Sequence, residues 1–128
     1  MSDRRPIVAA NWKLNGNRAS NDALVAAVIE GARAAGLAAG RPEIIVCPPF
    51  VYLAELAAPL GAGNLGLGAQ DVAAEDSGAF TGEVSAAMLR DVGCGHVIVG
   101  HSERRALFGD TDERVGLKVL AAIREIGR

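Results

Sequence analysis

Four short apolar runs alternate with helical patterns, and that alternation restricts this chain to very few folds. The runs cover residues 6–10, 43–47, 65–69 and 96–99. Two of them are nearly continuous rather than alternating, which is the pattern of strands covered on both faces in a parallel sheet. Between them, Ser20 reads as an N-cap, followed by a face of Leu24, Val28, Gly31, Ala32 and Ala35 that stops at Gly36. A short helix is expected over residues 50–58, ended by Pro59, and another over residues 86–91, capped by Ser85 and closed by Gly93. The last helix starts at Asp110, with Glu113 placed as in a capping box, and buries Val115, Val119, Ala122, Ile123 and Ile126. The order β-α-β-α-β-α-β-α, with right-handed crossovers, defines an α/β fold in which residues 1–128 form a single domain. One long connection, residues 71–84, has no periodicity, and a loop of that length is usually functional or docked.

Composition narrows the class of partner. With 50% hydrophobic and 22% charged residues the chain reads as an ordinary globular protein. A net charge of −2 gives no electrostatic reason for a nucleic acid or an anionic membrane as partner. Cys47 and Cys94 form no C-x-x-C pair and read as free thiols of a reducing compartment. No apolar run has the length of a signal peptide or approaches the roughly 18 residues of a membrane span, so the expected location is cytoplasmic.

The chemistry concentrates at the ends of the first and fourth runs. Val97-Ile98-Val99 leads through Gly100 into His101, Ser102, Glu103, Arg104 and Arg105. A buried strand that delivers a His to its carboxyl end places an imidazole where α/β folds keep their sites. The amides from Ser102 to Arg105 can open a short helix, whose positive N-terminus disfavours imidazolium and keeps His101 neutral. Asn11 and Lys13 fall just beyond the first strand, on the same rim, and suit an anionic, oxygen-rich substrate. Glu103 is placed to pair with Lys13 and fix its direction. The G-x-G-x-x-G match at residues 61–66 leaves a helix and enters a strand, the reverse of a dinucleotide fingerprint, so it reads as turn and packing glycines. No His, Asp and Glu cluster has metal-ligand spacing, and His96 and Met88 carry no functional expectation.

Five blocks together resemble the triosephosphate isomerase family. They are Ala10-Asn11-Trp12-Lys13-Leu14-Asn15-Gly16, Cys47-Pro48-Pro49-Phe50, Gly68-Ala69-Gln70-Asp71-Val72, Gly78-Ala79-Phe80-Thr81-Gly82-Glu83 and Gly100-His101-Ser102-Glu103-Arg104-Arg105. The resemblance implies a parallel (β/α)8 barrel that interconverts dihydroxyacetone phosphate and glyceraldehyde 3-phosphate through an enediolate, with no cofactor and no metal. It implies that Asn11 and Lys13 bind this small phosphorylated triose, Lys13 facing the phosphate and the developing enediolate charge. His101 becomes the neutral electrophile, a role for which this family is itself the standard illustration. Ser102 and Glu103 support that centre. Thr81, on the long loop, would approach a second subunit's active site, and Glu83 would meet the neighbour's Arg104.

The match covers the first four β/α units, a (β/α)4 half of a barrel that runs to about 250 residues. By the same resemblance, the carboxylate that abstracts the substrate proton belongs to the end of the sixth strand. The lid and the phosphate loops follow it. The expectation is therefore little or no isomerase activity from this chain alone. A half-barrel also leaves its first and fourth strands as open edges, with apolar surface meeting water. Self-association with two-fold symmetry, closing eight strands, or a complementary C-terminal half would relieve it. The alternative function is a non-catalytic, self-associating scaffold or folding fragment.

Overall fold

The computed structural model describes residues 4–37 and 42–126. Residues 1–3 and 127–128, the ends of the expected domain, lie outside the described residues. Strands β1 (Ile7–Asn11), β2 (Glu43–Cys47), β3 (Gly66–Ala69) and β4 (His96–Val97) lie side by side in sequence order, each pair parallel. Helix α1 (Arg18–Ala34) connects β1 and β2. A 3-10 turn (Phe50–Tyr52) runs into α2 (Leu53–Ala62), and α3 (Ala86–Asp91) precedes β4. Two helices follow β4, the short α4 (Ser102–Leu107) and α5 (Asp112–Glu125). This is a parallel α/β half-barrel, as the alternation requires. Among the described residues, no helix is long and apolar enough to cross a membrane.

The core lies between the helices and one face of the sheet. Val46, Leu67 and Ala69 project into it and meet Val25, Leu56, Leu60 and Leu89, all buried. Each buried leucine contributes roughly 1.5–3 kcal/mol of transfer free energy. Strand alternation sends Ile45, Cys47, Gly66 and Gly68 to the opposite, inner face. Glycine is needed there for room: a Cβ on Gly68 would sit 2.6 Å from Cys47 Sγ and 3.2 Å from Ile45 Cγ2.

Several expectations need correction. Asn17, not Ser20, caps α1; Ser20 is the third residue of a capping box, its N–H donating to Asn17 Oδ1 at 2.9 Å. The buried face of α1 runs through Asn21, Val25 and Ala32; of the expected stripe, Ala32 is buried and Val28 half-buried against the core, while Leu24 is exposed. Pro59 lies inside α2 instead of ending it. Burial of Leu56 and Leu60 on either side, roughly 1.5–3 kcal/mol each, offsets the cost of an interior proline, about 3 kcal/mol. Thr111 rather than Asp110 caps α5, accepting from the Arg114 N–H at 3.2 Å, because Asp110 turns inward to bind Lys118. Strand β1 is shifted one residue towards its carboxyl end and β3 starts one residue late. The ladder of β4 ends at Val97, although the Ile98 N–H still donates to Ala69 O at 2.8 Å.

The largest departure is the outer stripe of α5. Ala122 is buried and Val115 and Ile126 are half-buried, but Val119 and Ile123 are 39% and 56% exposed. With β4 and Val99 they line an open groove of about 380 Å³. At the other edge, Ile7 and Val8 of β1 are each 55% exposed. Both edges therefore show the apolar surface expected of a half-barrel.

The Cβ geometry predicts opposite outcomes at two glycines. Gly68→Ala should destabilise the chain by about 1–3 kcal/mol in urea unfolding, as overpacking does. Gly116→Ala, in α5 with open space around it, should stabilise it by about 0.5–1 kcal/mol.

Candidate active site

Because all four strands run the same way, their carboxyl ends share one rim. Asn11 and Cys47, the last residues of β1 and β2, pair there, Gln70 follows β3, and His101 lies just beyond β4. The rim encloses a cleft of about 300 Å³ whose walls include Asn11, Lys13, Gln70, His101, Glu103 and Arg104.

Lys13 has φ +57°, in the left-handed region that a side chain normally avoids at a cost of roughly 1–2 kcal/mol. Side chains secure both of its backbone polar groups. Its N–H donates to Asn11 Oδ1 at 2.9 Å, and its carbonyl accepts from Gln70 Nε2 at 2.9 Å. The same Gln70 amide donates to Cys47 O at 2.9 Å, which ties the turn after β1 to the end of β2. Asn11 therefore builds the turn as well as lining the cleft. Gln70 was missed by the sequence reading, although its place after the third strand matches that of Asn11 and His101 after theirs.

His101 caps α4 with its own ring: the Glu103 N–H donates to Nδ1 at 3.1 Å. A neutral imidazole that accepts at Nδ1 carries its hydrogen on Nε2. The Glu103 carboxylate turns the other way and pairs with Lys13, Oε1 to Nζ 2.7 Å. Its Oε2 is 3.9 Å from His101 Nδ1, too long for a hydrogen bond. The hydrogen bond from Lys13 holds the Glu103 carboxyl below the ordinary glutamate range, against a smaller opposing effect of desolvation, and the Lys13 charge adds to it. Ser102 opens α4 and is exposed. Behind it, Arg105 Nε donates to Gly100 O at 3.0 Å, and Gly100 takes φ +70°, which suits glycine.

The residues expected at a subunit contact fall in two places. Thr81 and Glu83 are exposed on the long loop beside Phe80, which is also exposed. That loop is held at its base by the Ala73 N–H to Val84 O bond (2.9 Å) and by Glu75–Arg114 (3.2 Å) and Asp76–Arg124 (3.0 Å) ion pairs. Arg104 lies within its own chain, its Nε 3.1 Å from Asp71 Oδ2 and 3.3 Å from Asp110 Oδ2. Both carboxylates also bind Lys118, whose side chain is 3% exposed. This cluster was not anticipated. Its signal was a lysine within the apolar run of α5, in line with Ala121 and Ala122.

Cys47 and Cys94 are unpaired and buried. Burial pushes both thiols up to about 11, and Cys94 is raised further by its neighbour Cys47, so neither is a thiolate nucleophile at neutral pH.

The fold and the rim define four β/α units of a (β/α)8 barrel, with a polar cleft at the carboxyl ends of the strands. The triosephosphate isomerase family profile matches residues 6–126. A triosephosphate isomerase of Magnetococcus marinus is 48% identical over 124 residues, covering 95% of this chain and 47% of the relative. One from Symbiobacterium thermophilum is 52% identical over 120 residues, covering 94% and 45%. The crystal structure of triosephosphate isomerase from Bartonella henselae superposes with a TM-score of 0.81 at 40% identity, over 97% of this chain and 49% of that one. The chain belongs to the triosephosphate isomerase family, and it spans about half the length of the relatives it matches.

Two titrations check this local chemistry. The Glu103 carboxyl should titrate below the ordinary glutamate range by NMR. Because its folded value is depressed, the Lys13 pair stabilises the fold above the unfolded glutamate value. That stabilisation disappears as pH falls through the folded value, and Glu103→Gln should remove this part of the pH dependence. Thiol labelling at pH 8 should be slow for both cysteines in the folded chain and fast in denaturant.

Proposed function

We propose that this chain supplies the carbonyl-polarising part of a triosephosphate isomerase site, with a small phosphorylated triose as substrate. The observation that carries this reading is the Glu103 N–H bond to His101 Nδ1, which leaves Nε2–H as the ring's donor to a substrate carbonyl oxygen. As a proton leaves the adjacent carbon, that oxygen gains charge. The hydrogen bond from Nε2 and the Lys13 ammonium, held in the same cleft, oppose the charge where it develops. Asn11 holds the Lys13 turn and offers an amide to substrate. Ser102 and Glu103 support the imidazole and the ammonium.

Removal of the carbon-bound proton needs a base within hydrogen-bond reach. The two carboxylates that line the cleft are both committed, Glu103 to Lys13 and Asp71 to Lys118 and Arg104. The base is therefore assigned to a complementary C-terminal half, which would also cover β1 and the groove beside β4. In the assembled enzyme, the exposed Thr81 and Glu83 would dock on a second subunit near its Arg104. Two unpaired cysteines suit the reducing cytoplasm. A second reading, a self-associating scaffold without catalysis, draws support from the two apolar edges, which one chain offers to a second copy.

A coupled isomerase assay paired with sedimentation separates the readings. The chain alone should turn over glyceraldehyde 3-phosphate near background, and a C-terminal half of a family relative should restore activity. His101→Ala should then lower the restored rate by about 10²–10⁴-fold, the range for a lost proton donor. Robust turnover by the pure chain, abolished by His101→Ala, would sink the half-site reading. A stable homo-oligomer with no gain on mixing would establish the scaffold instead.

A further inference from the structure

We infer that Lys118, which does not itself line the cleft, is a positioning residue for His101 and Lys13. It acts through the buried carboxylates Asp71 and Asp110. The inference rests on the reading of His101 as the carbonyl-polarising group.

The connection is short on both sides. Lys118 Nζ lies 2.9 Å from Asp71 Oδ1 and 3.1 and 3.0 Å from the two oxygens of Asp110. Arg104 Nε bridges the same two carboxylates from α4. Two cations meet two anions, so the cluster is neutral. It joins the segment after β3, the short helix α4, and α5. Asp71 is the chain neighbour of Gln70, whose amide carries the Lys13 carbonyl. Arg104 is the chain neighbour of Glu103, whose N–H sets the His101 ring and whose carboxylate holds Lys13 Nζ. The cluster therefore sits one residue from each clamp that fixes the site.

Stability alone does not account for it. A buried ion cluster of this kind is often replaced by apolar side chains at little or no cost in stability, because desolvation cancels much of the attraction. Its hydrogen bonds have fixed directions, however, and an apolar patch would let α4 slide against α5. Misplacement of a reacting group by about 1 Å can cost about a hundredfold in rate. Positional control is what the ion cluster supplies and an apolar one does not.

The test uses the charge-balanced pair Lys118→Met with Asp110→Asn, which leaves Asp71 opposite Arg104. By urea unfolding this variant should be close to the parent. The ¹⁵N spectrum of the His101 ring should change from a single Nε2–H tautomer in the parent to a mixture with Nδ1–H. In the reconstituted enzyme, kcat should fall by about tenfold to a hundredfold with little change in KM. A folded variant whose His101 tautomer is unchanged would overturn the inference. If the paired variant does not fold, Lys118→Arg, which keeps the charge and moves the donors, reads the same signature with the same consequence. The imidazole spectrum needs no activity, so failed reconstitution counts against the proposed function and leaves this inference to be decided on its own.

Discussion

Parallel pairing of four strands in sequence order is the constraint from which the rest of this structure follows. Each connection must return across the sheet, so helices cover one face and every carboxyl end arrives at the same rim. The Asn11–Lys13 turn, Gln70 and His101 are far apart in sequence and close in space for that reason alone. The rim then adds its own demand. A lysine in the left-handed region and a histidine acting as a helix cap are unusual local states; the first is held by Gln70 from the end of β3, the second by the Glu103 amide of its own turn. Scaffold and site are thus joined through a few backbone hydrogen bonds rather than through bulk packing.

How much of this was legible beforehand depended on which force decided the feature. The strand and helix order was readable because hydrophobic periodicity decides it, and β2 and α3 fall where that pattern ends. Local capping was less readable: Asn17, Ser20, Asp110 and Thr111 are all competent caps, and tertiary demand chose among them. Asp110 lost the role because Lys118 required a carboxylate in the interior. Lys13, His101 and Glu103 stood out by residue type and position, and the distance between Glu103 and Lys13 agrees with the pairing expected of those two. Gln70 and the Asp71–Lys118 contact did not stand out, because nothing in the chain's local pattern couples residues so distant.

The exposed apolar edges mark the same boundary from the energetic side. The expected stripe of α5 was sound as a pattern, but a stripe says only that a surface is suited to burial. Val119 and Ile123 carry that suitability while staying open to water, just as Ile7 and Val8 do on β1. Strands β2 and β3 are paired on both sides, while both flanks of the sheet carry apolar surface that faces water.

Glu103 makes its two contacts with different parts of itself. Its side chain holds Lys13, while its main chain sets the tautomer of His101. The location of the imidazole hydrogen is thus encoded in a backbone amide, which nineteen of the twenty amino acids possess. Evolutionary drift at this position can retune or discard the lysine tether while the histidine keeps its donor nitrogen facing outward. Only proline would erase both at once. Two functions that share one residue are, in this turn, genetically separable.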